Sequence, residues 1–328
     1  MSAGALSQVL ASAVLAHGGA HDVPPALTPG RALTAWSFEP LPLLALALVA
    51  GLYVLGVRRL RQRGVRWPVA RSLSFLALGL GTILVATSSA LGTYDTTLLS
   101  VHMVQHMLLS MVAPVFLALG APVTLALRAL PRGGRRRLTS VLHSRVASVL
   151  AFPAVAGVLF VATPFALYFS GWYEATLEHP WLHELTHLHF VLVGCLWFWP
   201  LLGLDPVPGR LPHPFRLLAV FVTLPFHAFM GVAIMGSDTL IAQDWYADLG
   251  RTWGPSLATD QQWAGWLLWA SGDLVGLIVF TVLFVLWMQA SEREAVREDR
   301  RLDRLEEQAR VAAGRAARGP SGTSGPDR

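Results

Sequence analysis

The chain has 328 residues, of which 54% are apolar and only 14% charged, against about 25% charged in a soluble domain. Its formal net charge is +5, but the basic residues lie between long apolar runs, a topological pattern that argues against nucleic-acid binding. The one cysteine, Cys195, excludes an internal disulfide and any paired-thiolate metal clip. All 25 basic residues are arginine.

Residues 6–16 form an apolar stretch too short to span a bilayer, with small residues that suit cleavage before His17 but no basic segment ahead of it. His17 and His21 follow in AHGGAHD, a flexible surface segment that could also bind copper. Residues 1–35 are expected outside the membrane, 36–290 within it, and 291–328 as a charged cytoplasmic tail that is disordered at its end. Seven apolar segments are predicted to span, at 40–57, 68–90, 98–120, 146–169, 183–203, 215–236 and 262–289. The expected fold is therefore an all-α polytopic bundle of seven transmembrane helices in a bacterial plasma membrane.

Arginine placement sets the expected orientation. Arg58, Arg59, Arg61, Arg63, Arg66 and Arg71 crowd one loop, and Arg128, Arg132, Arg135, Arg136, Arg137 and Arg145 another. Arg210 and Arg216 join them on the same side, while the opposite side carries only Arg31 and Arg251. The arginine-rich side and the C-terminus are read as cytoplasmic, with the N-terminus outside.

Five histidines fall inside predicted spans: His102, His106, His183, His187 and His227. Two pairs stand at i, i+4, which puts each pair on one helix face. A polar ring in hydrocarbon is costly without a partner or a ligand. At 1.5 Å per residue, His102 and His106 lie ~7 and ~13 Å below the outer face, His227 ~13 Å and Asp273 ~16 Å. His183 stands at the mouth of its helix with His187 ~6 Å further in. All occupy the outer half, as one site requires. Met103 and Met107 accompany the first pair. Packing is the ordinary role of a methionine in an apolar helix, but imidazole with thioether is also a donor set that suits Cu(I).

Two other chemistries compete. His183-Glu184-Leu185-Thr186-His187 matches HExxH, the zinc-peptidase pattern in which the glutamate activates water. Such a site needs a third ligand, and Asp205 is too far along the same helix, ~27 Å from His187; His102, His106 or Asp273 would have to serve. Histidines at matched depth on two helices could instead hold a haem.

The segments VHMVQHMLLSMVAPVFLALGAP (101–122), HPWLHELTHLHFVLVGCLWFWPLLGLDPVP (179–208), FHAFMGVAI (226–234) and TDQQWAGWLLWASGDL (259–274) together resemble the seven-helix assembly factor of caa3-type cytochrome c oxidase, the CtaG family. The resemblance covers about residues 36–290. It implies a non-enzymatic role in oxidase maturation, with copper supplied to the catalytic subunit of a terminal oxidase. The family's histidines map onto His102, His106, His183, His187 and His227, and its last-helix acid onto Asp273, where glutamate is expected in many relatives.

Overall fold

A computed structural model describes residues 23–317, with side chains to residue 313. The proposed leader at 6–16, His17 and His21 lie outside the described residues. Most of the described residues are helical, and no strand occurs among them. Six helices are long and apolar enough to cross a membrane. We number the spans α1 (Pro40–Gln62), α2 (Val69–Tyr94), α3 (Leu99–Leu119), α5 (Pro180–Leu202), α6 (His213–Met235) and α7 (Leu257–Ala317), with α4 (Pro153–Tyr168) between α3 and α5.

The fourth crossing differs from the single straight span expected at 146–169. Pro153 starts α4 at a first-turn position, where the missing N–H costs nothing. After Tyr168 the chain breaks at Ser170–Gly171 and bends by 67° into Trp172–Glu178. Counting that bent pair as one span gives seven crossings. The protein is an all-α multi-pass membrane protein. The described residues divide into two compact units, with the boundary after Phe280 within α7.

Close approach in lipid relies on small residues and good packing. A Cβ added at Gly194 of α5 would stand 2.2 Å from the Ser110 carbonyl oxygen of α3, so only glycine lets these helices meet there. α3 makes a π-helical turn at Leu108–Val112 beside that contact. Such turns are often found at functional sites. Gly231 of α6 and Gly265 of α7 meet in the same way, each Cβ position 2.6 Å from the other's carbonyl oxygen.

Each end of the bundle has its own polar fastening. At the arginine-rich end, Trp67 Nε1 donates to Tyr53 Oη at 3.0 Å, and Tyr53 Oη donates to the Gly120 carbonyl at 2.9 Å. Asp205 accepts from the Val123 and Thr124 amides at 3.1 and 2.8 Å and from the Thr124 hydroxyl at 2.6 Å, capping the helix Pro122–Ala129. At the other end, Asp260 of α7 accepts from the Leu99 amide at 2.7 Å, the Ser100 amide at 3.4 Å and the Ser100 hydroxyl. That carboxylate, itself only 2% exposed, satisfies the first amides of α3. Gln261 next to it ties the 234–241 loop, accepting from the Ile241 amide at 2.8 Å and donating to the Ile234 and Thr239 carbonyls at 3.2 Å.

Candidate metal centre

The second end of the bundle holds a buried polar cluster. Its first member, Asp95, closes α2 in the short turn before α3, and its side chain is buried. Gln105 of α3 is fully buried and donates through Nε2 to Asp95 Oδ2 at 2.8 Å and to the Ala86 carbonyl at 3.0 Å. Those two acceptors fix the amide orientation. The Gln105 Oε1 oxygen must then accept, so His187 Nε2, 2.9 Å away, carries the proton and donates to it. From one turn earlier on α5, His183 Nε2 donates to Asp95 Oδ2 at 3.0 Å. His187 Nε2 also lies 3.9 Å from Asp95 Oδ2. Burial by itself raises the Asp95 carboxyl, but attraction to His183, its hydrogen bond and the nearby His187 outweigh it and hold the group at about 2. The carboxylate is therefore ionised at neutral pH.

Asp95, His183 and His187 each offer a ligand atom, and these atoms lie within 4.8 Å of one another. Tetrahedral coordination with bonds of about 2.0–2.1 Å sets neighbouring ligand atoms roughly 3.3 Å apart. The observed 3.0 and 3.9 Å separations from Asp95 Oδ2 bracket that edge. His102 stands beside the group, its ring centroid 6.1 Å from that of His183. It is 2% exposed, and neither ring nitrogen has a hydrogen-bond partner. A neutral imidazole has one donor and one acceptor, so two buried sites go unused at a cost of about 1–3 kcal/mol each. Its edge packs against Tyr173 and Tyr168 at 4.8 and 6.0 Å between centroids. Two imidazoles and one carboxylate, with a third imidazole alongside, fit a borderline divalent or monovalent transition metal.

The group of three includes none of the other expected ligands, His106, His227, Asp273, Met103 or Met107. His106 stacks on Phe190 at 4.0 Å, and its Nδ1 is 3.0 Å from the Tyr168 hydroxyl. His227 is buried with its ring 5.5 Å from Phe160, and a Cβ at Gly272 would stand 3.0 Å from it. Asp273 accepts from Trp269 Nε1 at 2.7 Å, while its Oδ1 is buried without a partner. Met103 and Met107 are 0% and 3% exposed. Asp95 and Gln105 were not foreseen. Asp95 could have been noticed as the lone acid in TYDTT, directly before the helix that carries His102.

The HExxH glutamate has a different place from that of a water-activating base. Glu184 Oε1 is 3.8 Å from His187 Nδ1, whereas His187 Nε2 faces Gln105 and Asp95. The carboxylate stands behind the ring, where it would face an Nδ1–H once Nε2 gives up its proton to a metal ion. A haem is also a poor fit, because the His183 and His187 nitrogens meet a carboxylate and a carboxamide at hydrogen-bond distance, leaving no room there for a macrocycle.

The family model for the cytochrome c oxidase caa3 assembly factor matches residues 51–290. The chain belongs to that family. The chain is also 38% identical over 290 residues to uncharacterized proteins of Mycobacterium bovis and Mycobacterium tuberculosis, across 86% of this chain and 44% of each relative. An uncharacterized protein of Mycobacterium leprae is 38% identical over 281 residues, 83% of this chain and 42% of that protein. The chain thus spans less than half the length of the curated relatives it matches. No solved structure matches it.

Proposed function

We propose that this assembly factor carries copper as cargo between Asp95, His183, His187 and His102 and passes it to the copper-containing catalytic subunit of a terminal oxidase. The observation that carries the reading is His102, a buried imidazole with both nitrogens unpartnered beside a carboxylate and two further imidazoles. Imidazole donors suit copper and zinc alike. The buried Met103 and Met107 on the same helix favour Cu(I) by offering thioether sulfur nearby. The cluster lies at the bundle end opposite the arginine-rich loops, which the charge bias assigns to the outer face. Ligands at that level let the ion move laterally to a neighbouring membrane subunit without crossing hydrocarbon as a bare charge. Glu184 holds His187 from behind in this reading, and the chain catalyses no reaction of its own.

The test is metal analysis of the protein purified in mild detergent and offered Cu(I), Cu(II) or Zn(II). Copper is expected to bind, and the His183→Ala, His187→Ala double variant is expected to lose both bound copper and copper-dependent oxidase activity in cells. His143→Ala, at the arginine-rich end, serves as the control. Unchanged copper content in the double variant, selective binding of zinc, or a Soret absorption band would each overturn the proposal.

A further inference from the structure

We infer that the helix Arg132–Leu142 and the turn of helix after it form an interfacial platform that binds the phosphate headgroups of anionic membrane lipids. Arg132–Leu142 and Arg145–Leu150 contain no fully buried residue; Leu138 and Leu142 are only half-buried, so packing on the described residues holds these helices weakly. An isolated helix of such length is marginal in water and needs an outside surface to lie on. The sequence supplies two faces. At 100° per residue, Leu138, Val141 and Leu142 fall on one arc, and Arg132, Arg135 and Arg136 on the adjoining one. Val141, Val146, Val149 and Phe152 are 64%, 68%, 59% and 57% exposed, an apolar strip beside the arginines.

Charge selects the occupant. From residue 96 to residue 173 the sequence contains no aspartate or glutamate. The described ion pairs include none of the arginines at 128–145, and all six of these are exposed. Arg63 Nη1 donates to the Arg128 carbonyl at 3.1 Å, which joins the 58–71 loop to this one and doubles the unneutralised positive charge. Both loops are tethered at each end by membrane spans. The platform is thus confined to the bilayer surface, where an apolar strip can enter the acyl boundary while guanidinium groups meet phosphate. An acidic protein segment would answer the charge but not the apolar strip.

The experiment uses the full chain in nanodiscs of phosphatidylcholine alone or of phosphatidylcholine mixed with phosphatidylglycerol, reading amide hydrogen exchange over residues 132–150. Protection is expected to be higher with phosphatidylglycerol and to fall as salt is added. Neutralising Arg132, Arg135 and Arg136 to glutamine is expected to lower it about fivefold per arginine. If that variant misfolds, the salt titration of the unsubstituted protein decides alone. Equal protection in both lipids, or protection that arises only when an acidic protein is added, would overturn the inference. The outcome is independent of whether copper binds at the other end.

Discussion

Replacing Asp95 with asparagine separates the electrostatic role of the cluster from its shape. The amide is isosteric, so its oxygen can still accept from Gln105 Nε2 and His183 Nε2, bonded in the native protein at 2.8 and 3.0 Å. What is lost is the charge. A hydrogen bond to a charged group contributes about 1.5–3 kcal/mol and a neutral one about 0.5–1.5 kcal/mol, so two bonds weaken by roughly 1–1.5 kcal/mol each. Removing a buried ion recovers several kcal/mol of desolvation, so the apo protein is expected to melt close to the native temperature. Metal affinity has no such offset. Loss of an outer-shell carboxylate already weakens metal sites about 10–100-fold, or roughly 1.4–2.8 kcal/mol, and a direct ligand should cost at least that. The assay is competition against a chromophoric Cu(I) chelator in detergent, with thermal unfolding of the apo protein alongside. An Asp95→Asn variant that melts normally and binds copper as tightly as the native chain would refute the placement of the ion.

Glu184→Gln retains a group that can accept from His187 Nδ1, so copper-dependent oxidase activity should stay near native while His187→Ala abolishes it; equal loss in both, with an uncut substrate accumulating, would favour a peptidase. Topology is checked with reporter fusions: one after Arg137 should read cytoplasm and one after Trp172 the outside, and the reverse pattern would put the cluster on the cytoplasmic face.

The spans were legible because a bilayer demands about twenty apolar residues in a row, a signal that survives in one sequence. The pairing of His183 with His187 was legible for the same reason that α-helices have 3.6 residues per turn. Contacts across the fold were not. Asp95 lies in a turn, where no periodicity announces its direction, and Gln105 stands 60° around α3 from His102, so it reads as an ordinary polar neighbour. The bend after Tyr168 depends on a Ser-Gly break inside an otherwise apolar run, and hydropathy alone does not register it. That bend sets the short helix carrying Tyr173, whose hydroxyl is 2.6 Å from that of Tyr246 and whose ring packs on His102.

The cap on α3 also bears on how the protein is made. Asp260 and Leu99 are 161 residues apart, and the carboxylate belongs to α7, which is made after every other described span. Until that span is inserted, the first turn of α3 lacks the group that ends it, three residues ahead of His102. The centre is therefore completed last, when every helix that contributes to it is already in the bilayer. An unfinished chain has a loosened first turn in place of a finished ligand set, which lowers the chance that it captures an ion it has no means to hand on.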